Sequence, residues 1–546
     1  MKLRLLPILL LLLTLPVMLS AADDPVRLGE RIYREGILPD GRPLMGYIRD
    51  DVEIDSTIFS CANCHTRSGI GSLEGQIASP PVSGSYLFSE RYQYKDVLKN
   101  YLSTKKKGVP RSAKPIRPAY DEKSLSLAIA GGINSAGREL LPVMPRYDMT
   151  DAEMGVLIAY LKTLSATHSP GVDDEEMHIA TIVTDDVSES DRNAMLIPLK
   201  RLVEQNRQAA SLKTTPRYQK FARMLDEAFF RKLRLSVWEL TGDPSTWGAQ
   251  LERFYQKDPP FAILGGISTR DWRPIHEFCE RMQLPDILPI TDYPVISDTD
   301  WYTIYFSRGH YQEGETAARY IAQQIEPSDA VLIISGTDER ERRMAQGAVA
   351  AFTEKGFDQL IRLDGATVET LRPKLSALFA SRTVKGVVAA VDDRLLSFLL
   401  EGDVGVKLPS VTVASATLAS RLLEQPDDRL GRILLTWPYR LPDDERKYAE
   451  FKDTFLMGRM KPDGKRIASR TFSMIHVFML GVREMKLDFY RDTLLDQISM
   501  MQDQYLPDFE RLSFGPGQRY LSKGCYVVQV EPKSGKLIPR SDWVIH

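Results

Sequence analysis

Cys61-Ala62-Asn63-Cys64-His65 sets two thiols two residues apart, with an imidazole directly after the second. This C-x-x-C-H spacing is the attachment signature of c-type heme. Two thiols so placed form thioether bonds to the heme vinyl groups, and the adjacent imidazole falls under the iron. The competing chemistry is a C-x-x-C redox pair or half of a zinc site. Zinc needs about four ligands, and the sequence has no second Cys/His pair at finger spacing. The iron needs a sixth ligand as well. Leu141-Pro142-Val143-Met144-Pro145 offers Met144 in a proline-flanked loop, with Met149, Met154 and His168 as competitors. A thioether opposite histidine raises the reduction potential and suits electron transfer. The expected site is one covalently attached heme c, bound through Cys61 and Cys64 and ligated by His65 and Met144.

Helices must hold these groups. Leu28-Gly29-Glu30-Arg31-Ile32-Tyr33 reads as an amphipathic first helix started near Pro25, and Thr150-Asp151-Ala152-Glu153 as the N-cap and acidic first turn of another. That second helix, Met154 to Leu164, carries Leu157, Ile158, Leu161 and Leu164 on one stripe. On these points residues 23–165 resemble the class I cytochrome c family: a first helix with Gly29 and Tyr33, the C-x-x-C-H, a methionine loop and a closing helix with Tyr160. The resemblance implies an all-α domain whose terminal helices cross at the small glycine. It also implies that Pro80 or Pro81 offers a carbonyl to the ring N–H of the heme histidine, fixing its tautomer. Two departures stand out, a long stretch before Cys61 and an insertion from Tyr86 to Arg117 that would cover part of the heme edge.

Covalent heme is attached outside the cytoplasm, and the chain starts accordingly. Residues 1–22, MKLRLLPILLLLLTLPVMLSAA, read as a cleaved secretory signal peptide with a basic start, an apolar stretch and a small-residue cleavage site. The apolar run falls short of the ~20 residues a spanning helix needs, and Pro7 and Pro16 interrupt it. A periplasmic or otherwise exported protein that does not span the membrane is expected. Cleavage removes Lys2 and Arg4, so 71 basic residues become 69 against 73 acidic ones, a net charge of −4. Between Arg91 and Lys123, ten basic residues face three acidic ones. This segment is either a solvated loop or the docking face of an acidic redox protein partner. Nucleic acid is not expected as a partner of an exported protein.

The chain has 546 residues, room for three to four domains of ~150 residues. A hydrophobic share of 43% and a charged share of 26% exclude a disordered, collagen-like or polytopic membrane chain. Residues 166–176 form a polar linker containing Pro170 and Gly171. Beyond it, apolar runs (Ile179–Val183, Leu233–Trp238, Phe261–Leu264, Ala330–Ile334, Gly386–Val391, Val411–Ala414) alternate with helical stretches. Such alternation predicts parallel sheets covered by helices, and ~370 residues (177–546) suit two α/β lobes.

Phe261-Ala262-Ile263-Leu264-Gly265-Gly266-Ile267-Ser268-Thr269, Leu288-Pro289-Ile290-Thr291, Tyr305-Phe306-Ser307-Arg308 and the ending Phe514-Gly515-Pro516-Gly517 … Cys525–Val530 resemble the type I periplasmic ligand-binding proteins of the branched-chain amino-acid class. The whole chain then reads as an all-α cytochrome c domain followed by a bilobed α/β domain. The resemblance implies a small-molecule ligand between the lobes at strand ends. Ser268 and Thr269 would hold an anionic group at a helix start. Thr291, Asp292 and Tyr293 would follow on the same lobe, and Thr337, Asp393 and Ser415 on the other. For each, the competing reading is an ordinary helix cap or turn residue, which such positions more commonly hold. The loop Gly336–Arg342 is charged where amino-acid binders place an aromatic, so amino-acid binding is not carried over. Cys279 and Cys525 read as buried single thiols, a disulfide requiring close Cα atoms. No P-loop, G-x-G-x-x-G, H-E-x-x-H or G-x-S-x-G is present, which argues against an enzyme. The expectation is a monoheme electron-transfer protein coupled to a ligand-binding or partner-docking module. The alternative is a ligand or redox sensor, or a transport-type solute-binding protein with an accessory heme domain.

Overall fold

The structure, a computed structural model, describes residues 24–48, 52–92, 115–211, 231–401, 408–424, 428–442, 466–485, 488–532 and 534–545. The expected signal peptide lies outside these residues, as does the basic segment from Gln93 to Lys114. The chain divides into two compact units, Met1–Thr167 and His168–His546.

The first unit opens with α1 (Pro25–Glu35), started by Asp24, whose carboxylate accepts from the Val26 N–H, and stopped by Gly36 at φ 67°. A hairpin follows, β1 (Met45–Ile48) and β2 (Val52–Asp55), then α2 (Cys61–His65). The ribbon β3 (Ser72–Glu74) and β4 (Ile77–Ser79) precedes α3 (Gly84–Leu87), and β5 (Arg91–Tyr92) pairs with β6 (Pro115–Arg117). The unit closes with α4 (Glu122–Gly131), β7 (Arg146–Tyr147) and α5 (Asp151–Thr163). It is therefore not all-α. Tyr47, Ile48, Val52 and Ile54 are strand-forming types in the long stretch before Cys61, and they fold it into a sheet of order β2-β1-β7. Thr150 and Glu153 form a capping box on α5. Helices α1 and α5 cross at Gly29, where a Cβ would stand 2.1 Å from the Val156 carbonyl oxygen. Tyr33 and Tyr160 pack beside that crossing with ring centroids 5.5 Å apart.

The second unit is bilobed. In its first lobe β8 (Glu176–Thr184) is flanked on one edge by β9 (Lys232–Leu240). On the other edge β10 (Ala262–Leu264) and β11 (Ile267–Ser268) form two halves of one strand, interrupted where Gly265 and Gly266 take φ 65° and 133°. Next come β12 (Asp286–Ile287) and β13 (Ile290–Thr291), another interrupted strand, and then β14 (Thr303–Ile304). Helix α6 (Glu189–Ser211) covers one face of this parallel sheet, while α7 (Trp247–Lys257) and α8 (Arg273–Arg281) cover the other. In the second lobe α9 (His310–Ala322) and α10 (Glu339–Glu354) lie on one face of a sheet ordered β16 (Leu360–Leu363), β15 (Ala330–Ser335), β17 (Val384–Ala390), β18 (Val411–Ser415), β19 (Leu434–Trp437). The opposite face carries α11 (Val368–Ser381) and α12 (Asp393–Leu400), with α13 (Ser420–Glu424) alongside. In both lobes the second strand of the chain sits outside the first, and the rest follow in order.

The lobes are not consecutive halves. After β19, helices α14 (Ile467–Met485) and α15 (Arg491–Ser499) return to the first lobe, burying Phe472, Phe478 and Leu494 against Ile179 and Leu264. The chain then rejoins the second lobe as β20 (Gly524–Val530), antiparallel to β19, with β21 (Leu537–Pro539) and β22 (Val544–Ile545) beside it. The purely parallel sheet expected there thus gains an antiparallel edge. Residues 168–176, expected as a linker, are tied to this unit from its first residues. Ser169 N–H donates to the Phe489 carbonyl at 3.1 Å, Ser169 Oγ accepts from the Arg491 N–H at 3.0 Å, and the Gly171 carbonyl accepts from the His178 N–H at 2.7 Å. Cys279 in α8 and Cys525 in β20 are buried free thiols, one in each lobe. Among the described residues no helix is long and apolar enough to cross a membrane.

Candidate functional site

The C-x-x-C-H residues are a single helical turn. Ser60 caps α2, and Asn63, between the cysteines, accepts the Ser60 N–H at 2.9 Å and its hydroxyl at 2.8 Å. Helical spacing puts Cys61, Cys64 and His65 on one side of that turn. Cys61 and His65 line a cavity of about 250 Å³, with Met144, Pro80 and Pro81 and the apolar side chains Leu125, Ile129, Leu157 and Leu161. His65 Nδ1 lies 2.8 Å from the Pro80 carbonyl. A carbonyl can only accept, so Nδ1 carries the proton and Nε2 keeps a lone pair for a metal. Pro80 makes this contact, and Pro81 borders the cavity beside it. Gly71 makes room: at φ 80° its missing Cβ would stand 2.1 Å from the Ser79 carbonyl oxygen.

Burial lowers the His65 pKa, keeping the ring neutral, and pushes the Cys61 thiol up to about 12; it raises Cys64 too. Reactive C-x-x-C pairs work with lowered thiol pKa values, so this environment is unsuited to dithiol exchange. No group of three or more His, Cys, Asp or Glu residues able to hold a metal occurs among the described residues. Met144 is held in its loop by its N–H to the Leu141 carbonyl at 3.0 Å and by its own carbonyl, which accepts from Arg146 Nη1 at 2.5 Å. Met149 and Met154 pack in the core of the unit, and His168 belongs to the larger unit, edge-on to Phe489. Arg117 also lines the cavity, 8% exposed. Its guanidinium donates to the carbonyls of Tyr86, Leu87 and Pro118 at 2.8, 3.2 and 2.9 Å, with no carboxylate paired to it among the described residues. The cavity thus joins the Cys61 thiol, with Cys64 on the same helical turn, a neutral imidazole, a thioether, apolar walls and one buried cation, a set that fits a flat apolar group carrying carboxylates and a metal.

A second cavity, about 60 Å³, lies between the lobes of the larger unit. Pro289, Thr291, Asp292 and Pro294 line it from the first lobe, His310, Glu313 and Thr417 from the second, with Tyr439, Arg470 and Phe509 from the later crossings. Of the expected cleft residues, Thr291 and Asp292 are there. Tyr293 turns instead toward Arg343, whose guanidinium carbon sits 5.5 Å from its ring centroid. The others are satisfied by their own neighbours. Ser268 Oγ accepts from the Arg270 N–H at 3.0 Å, and the Thr269 N–H and hydroxyl both donate to Asp186, the former at 2.8 Å. The Thr337 carbonyl accepts from Arg342, and Asp393 accepts the Leu422 N–H at 3.0 Å. Ser415 lies behind the cavity and donates to Glu313 at 2.7 Å.

Sequence reasoning missed Glu313. Fully buried, it accepts from His310 Nδ1 at 3.0 Å, from the hydroxyls of Ser415 and Thr436 at 2.7 Å each, and from that of Thr417. Burial works to raise its pKa, but these donors outweigh it and hold the carboxyl below its ordinary value. The available signal was four consecutive residues, His310 to Glu313, of mainly polar type at the start of a covered helix. Arg470 was missed as well. Its Nη2 donates to the Tyr439 hydroxyl, while its Nε is buried without a hydrogen-bond partner. At the mouth, Arg343 of α10 donates to the Pro294 carbonyl at 2.7 Å, and Arg340 stands 3.9 Å from Asp292, so the second lobe grips the first.

A family model described as periplasmic binding protein matches residues 231–536, more than half of the chain. No curated protein matches the chain. Solved structures similar to it include a solute binding protein of an ABC transporter from Rhodopseudomonas palustris in complex with 3,4-dihydroxy benzoic acid, at 14% identity and a TM-score of 0.47, covering 68% of this chain and 99% of that one. A leucine binding protein from Thermotoga maritima follows at 13% and 0.45, covering 67% and 98%. A branched chain amino acid ABC transporter from Thermus thermophilus with bound valine gives 12% and 0.45, covering 68% and 97%.

Proposed function

The chain belongs to the periplasmic binding protein family, and on that premise we propose an exported solute-binding protein whose larger unit closes two lobes on a small molecule and whose N-terminal unit carries one covalent heme c. Membership makes it a binding protein, not an enzyme. It also reverses the expected ranking, in which electron transfer came first and solute transport was the alternative. The observation that carries the solute reading is the cavity lined by both lobes, with Thr291 and Asp292 on one side and His310, Glu313 and Thr417 on the other. Ligand sites at such lobe junctions bind by closure about a hinge.

The heme reading rests on the fit of the other cavity. Cys61 and Cys64 would hold the group by thioether bonds, His65 Nε2 and the Met144 sulfur would take the iron, and Arg117 would offer its buried charge to the carboxylates. When bound, the group supplies reversible one-electron transfer. The apolar walls exclude water, and Pro80 fixes the imidazole tautomer. An acidic redox partner at residues 91–123 belongs to the same reading.

Three measurements on the purified protein test the halves separately. A pyridine hemochrome spectrum should show one covalent heme per chain, and its absence overturns the heme half. Met144→Ala should keep the heme yet lose the weak far-red absorption of methionine-ligated ferric iron. Thermal melting against a panel of small solutes should show a saturable rise for at least one class; no rise anywhere overturns the solute half.

A further inference from the structure

We infer that the interlobe cavity takes a small organic carboxylate without an amino group, recognised by Arg470; this rests on the solute-binding reading above. Arg470 stands on α14 and reaches the cavity with a single hydrogen bond, to the uncharged Tyr439 hydroxyl. Its Nε is buried with no partner, and among the described residues no carboxylate lies within ion-pair distance. A guanidinium presents five N–H donors in a planar fork that matches a carboxylate in two parallel bonds. Asp508 and Asp292 offset part of the cost of burying this cation without bonding to it, and an anion in the cavity that accepts from its free donors relieves the rest.

The acidic groups nearby are already committed. Both oxygens of Glu313 are taken by four donors of the protein itself, Asp292 faces Arg340 at 3.9 Å, and the buried Asp508 faces Arg466 at 3.7 Å. The ammonium group of an amino acid would have to compete with these partners. The size of the space narrows the ligand further. The space, about 60 Å³, is smaller than the roughly 150 Å³ that holds benzene, which favours a carboxylate of a few heavy atoms. Phe306 and Phe509, stacked with centroids 5.2 Å apart, supply an apolar wall for a short hydrocarbon end.

The test uses the full chain and sodium acetate, with acetamide as neutral isostere, glycine as the amine-bearing analogue, benzoate as the larger carboxylate and sodium chloride at matched ionic strength. Calorimetry and thermal melting should show saturable binding of acetate and none of the others. Arg470→Lys keeps the charge but loses the fork, and should weaken acetate by about tenfold or more; Arg470→Gln should abolish binding. Should Arg470→Gln fail to fold, Arg470→Lys together with Tyr439→Phe, which frees Nη2, carries the same test. Equal binding of acetamide or chloride, tighter binding of glycine or benzoate, or acetate affinity indifferent to Arg470→Lys each overturns the inference and leaves a solute-binding protein of another specificity. Failure of acetate together with every solute of a broad panel overturns the solute-binding reading itself.

Discussion

Cys61, Cys64 and His65 come from one helical turn and need only Met144 from a distant loop, whereas the interlobe cavity collects residues from Pro289 to Phe509. The first cavity is apolar, with few polar groups of fixed role. The second is crowded with carboxylates, hydroxyls and guanidinium groups that largely satisfy one another. The difference follows from the work each can do. Covalent attachment needs reactive groups at a fixed separation, which one turn of chain guarantees. Recognition by closing lobes needs groups on both sides of a hinge, and only long-range crossings deliver them.

Four perturbations should separate the two regions. The largest effect is expected from Cys61→Ser combined with Cys64→Ser, which should remove all covalent heme while leaving the melting of the larger unit and its solute response unchanged. A loss of solute response would show that the cavities are coupled. Next comes Glu313→Gln, which replaces charge-assisted bonds at a fully buried site and should cost about 3 kcal/mol, read by denaturant unfolding, with heme content unaltered. Gly29→Ala should cost about 2 kcal/mol in the N-terminal unit alone, because the new Cβ meets the Val156 carbonyl at the helix crossing. The smallest effect per step concerns Asp286, which burial pushes up to about 8 from an ordinary 3.8. Between those values the folded protein holds a proton that the unfolded chain has lost, so stability of the larger unit should fall as pH rises from 4 to 8, by at most about 1.4 kcal/mol per pH unit. Asp286→Asn should flatten that slope, and a slope of opposite sign in the parent would refute the assignment.

What the sequence made legible was local. The first helix at Pro25, the Thr150 and Glu153 capping box, and strands such as Ile179–Val183 and Ala330–Ile334 follow from periodicity and end signals within a few residues. What stayed hidden depends on neighbours far along the chain. Thr269 sits at a strand end as expected, but Asp186 reaches it first. Ser415 was chosen as a ligand contact and instead supports Glu313, a hundred residues earlier. Arg117 was legible as one charge in a basic segment, not as a buried cation on a cavity wall. The strand preceding Cys61 was hidden by the family resemblance itself, which implied helices alone.

The return of α14 and α15 to the first lobe also bears on how the protein is made. A ribosome releases β8 to β14 long before Phe472, Phe478 and Leu494 exist to cover Ile179 and Leu264. Until Leu521 has emerged, the nascent first lobe has one greasy sheet face incompletely roofed, a state prone to sticking to other chains. Truncation just after β19 should therefore ruin the lobe that was synthesised first, rather than only the one left unfinished.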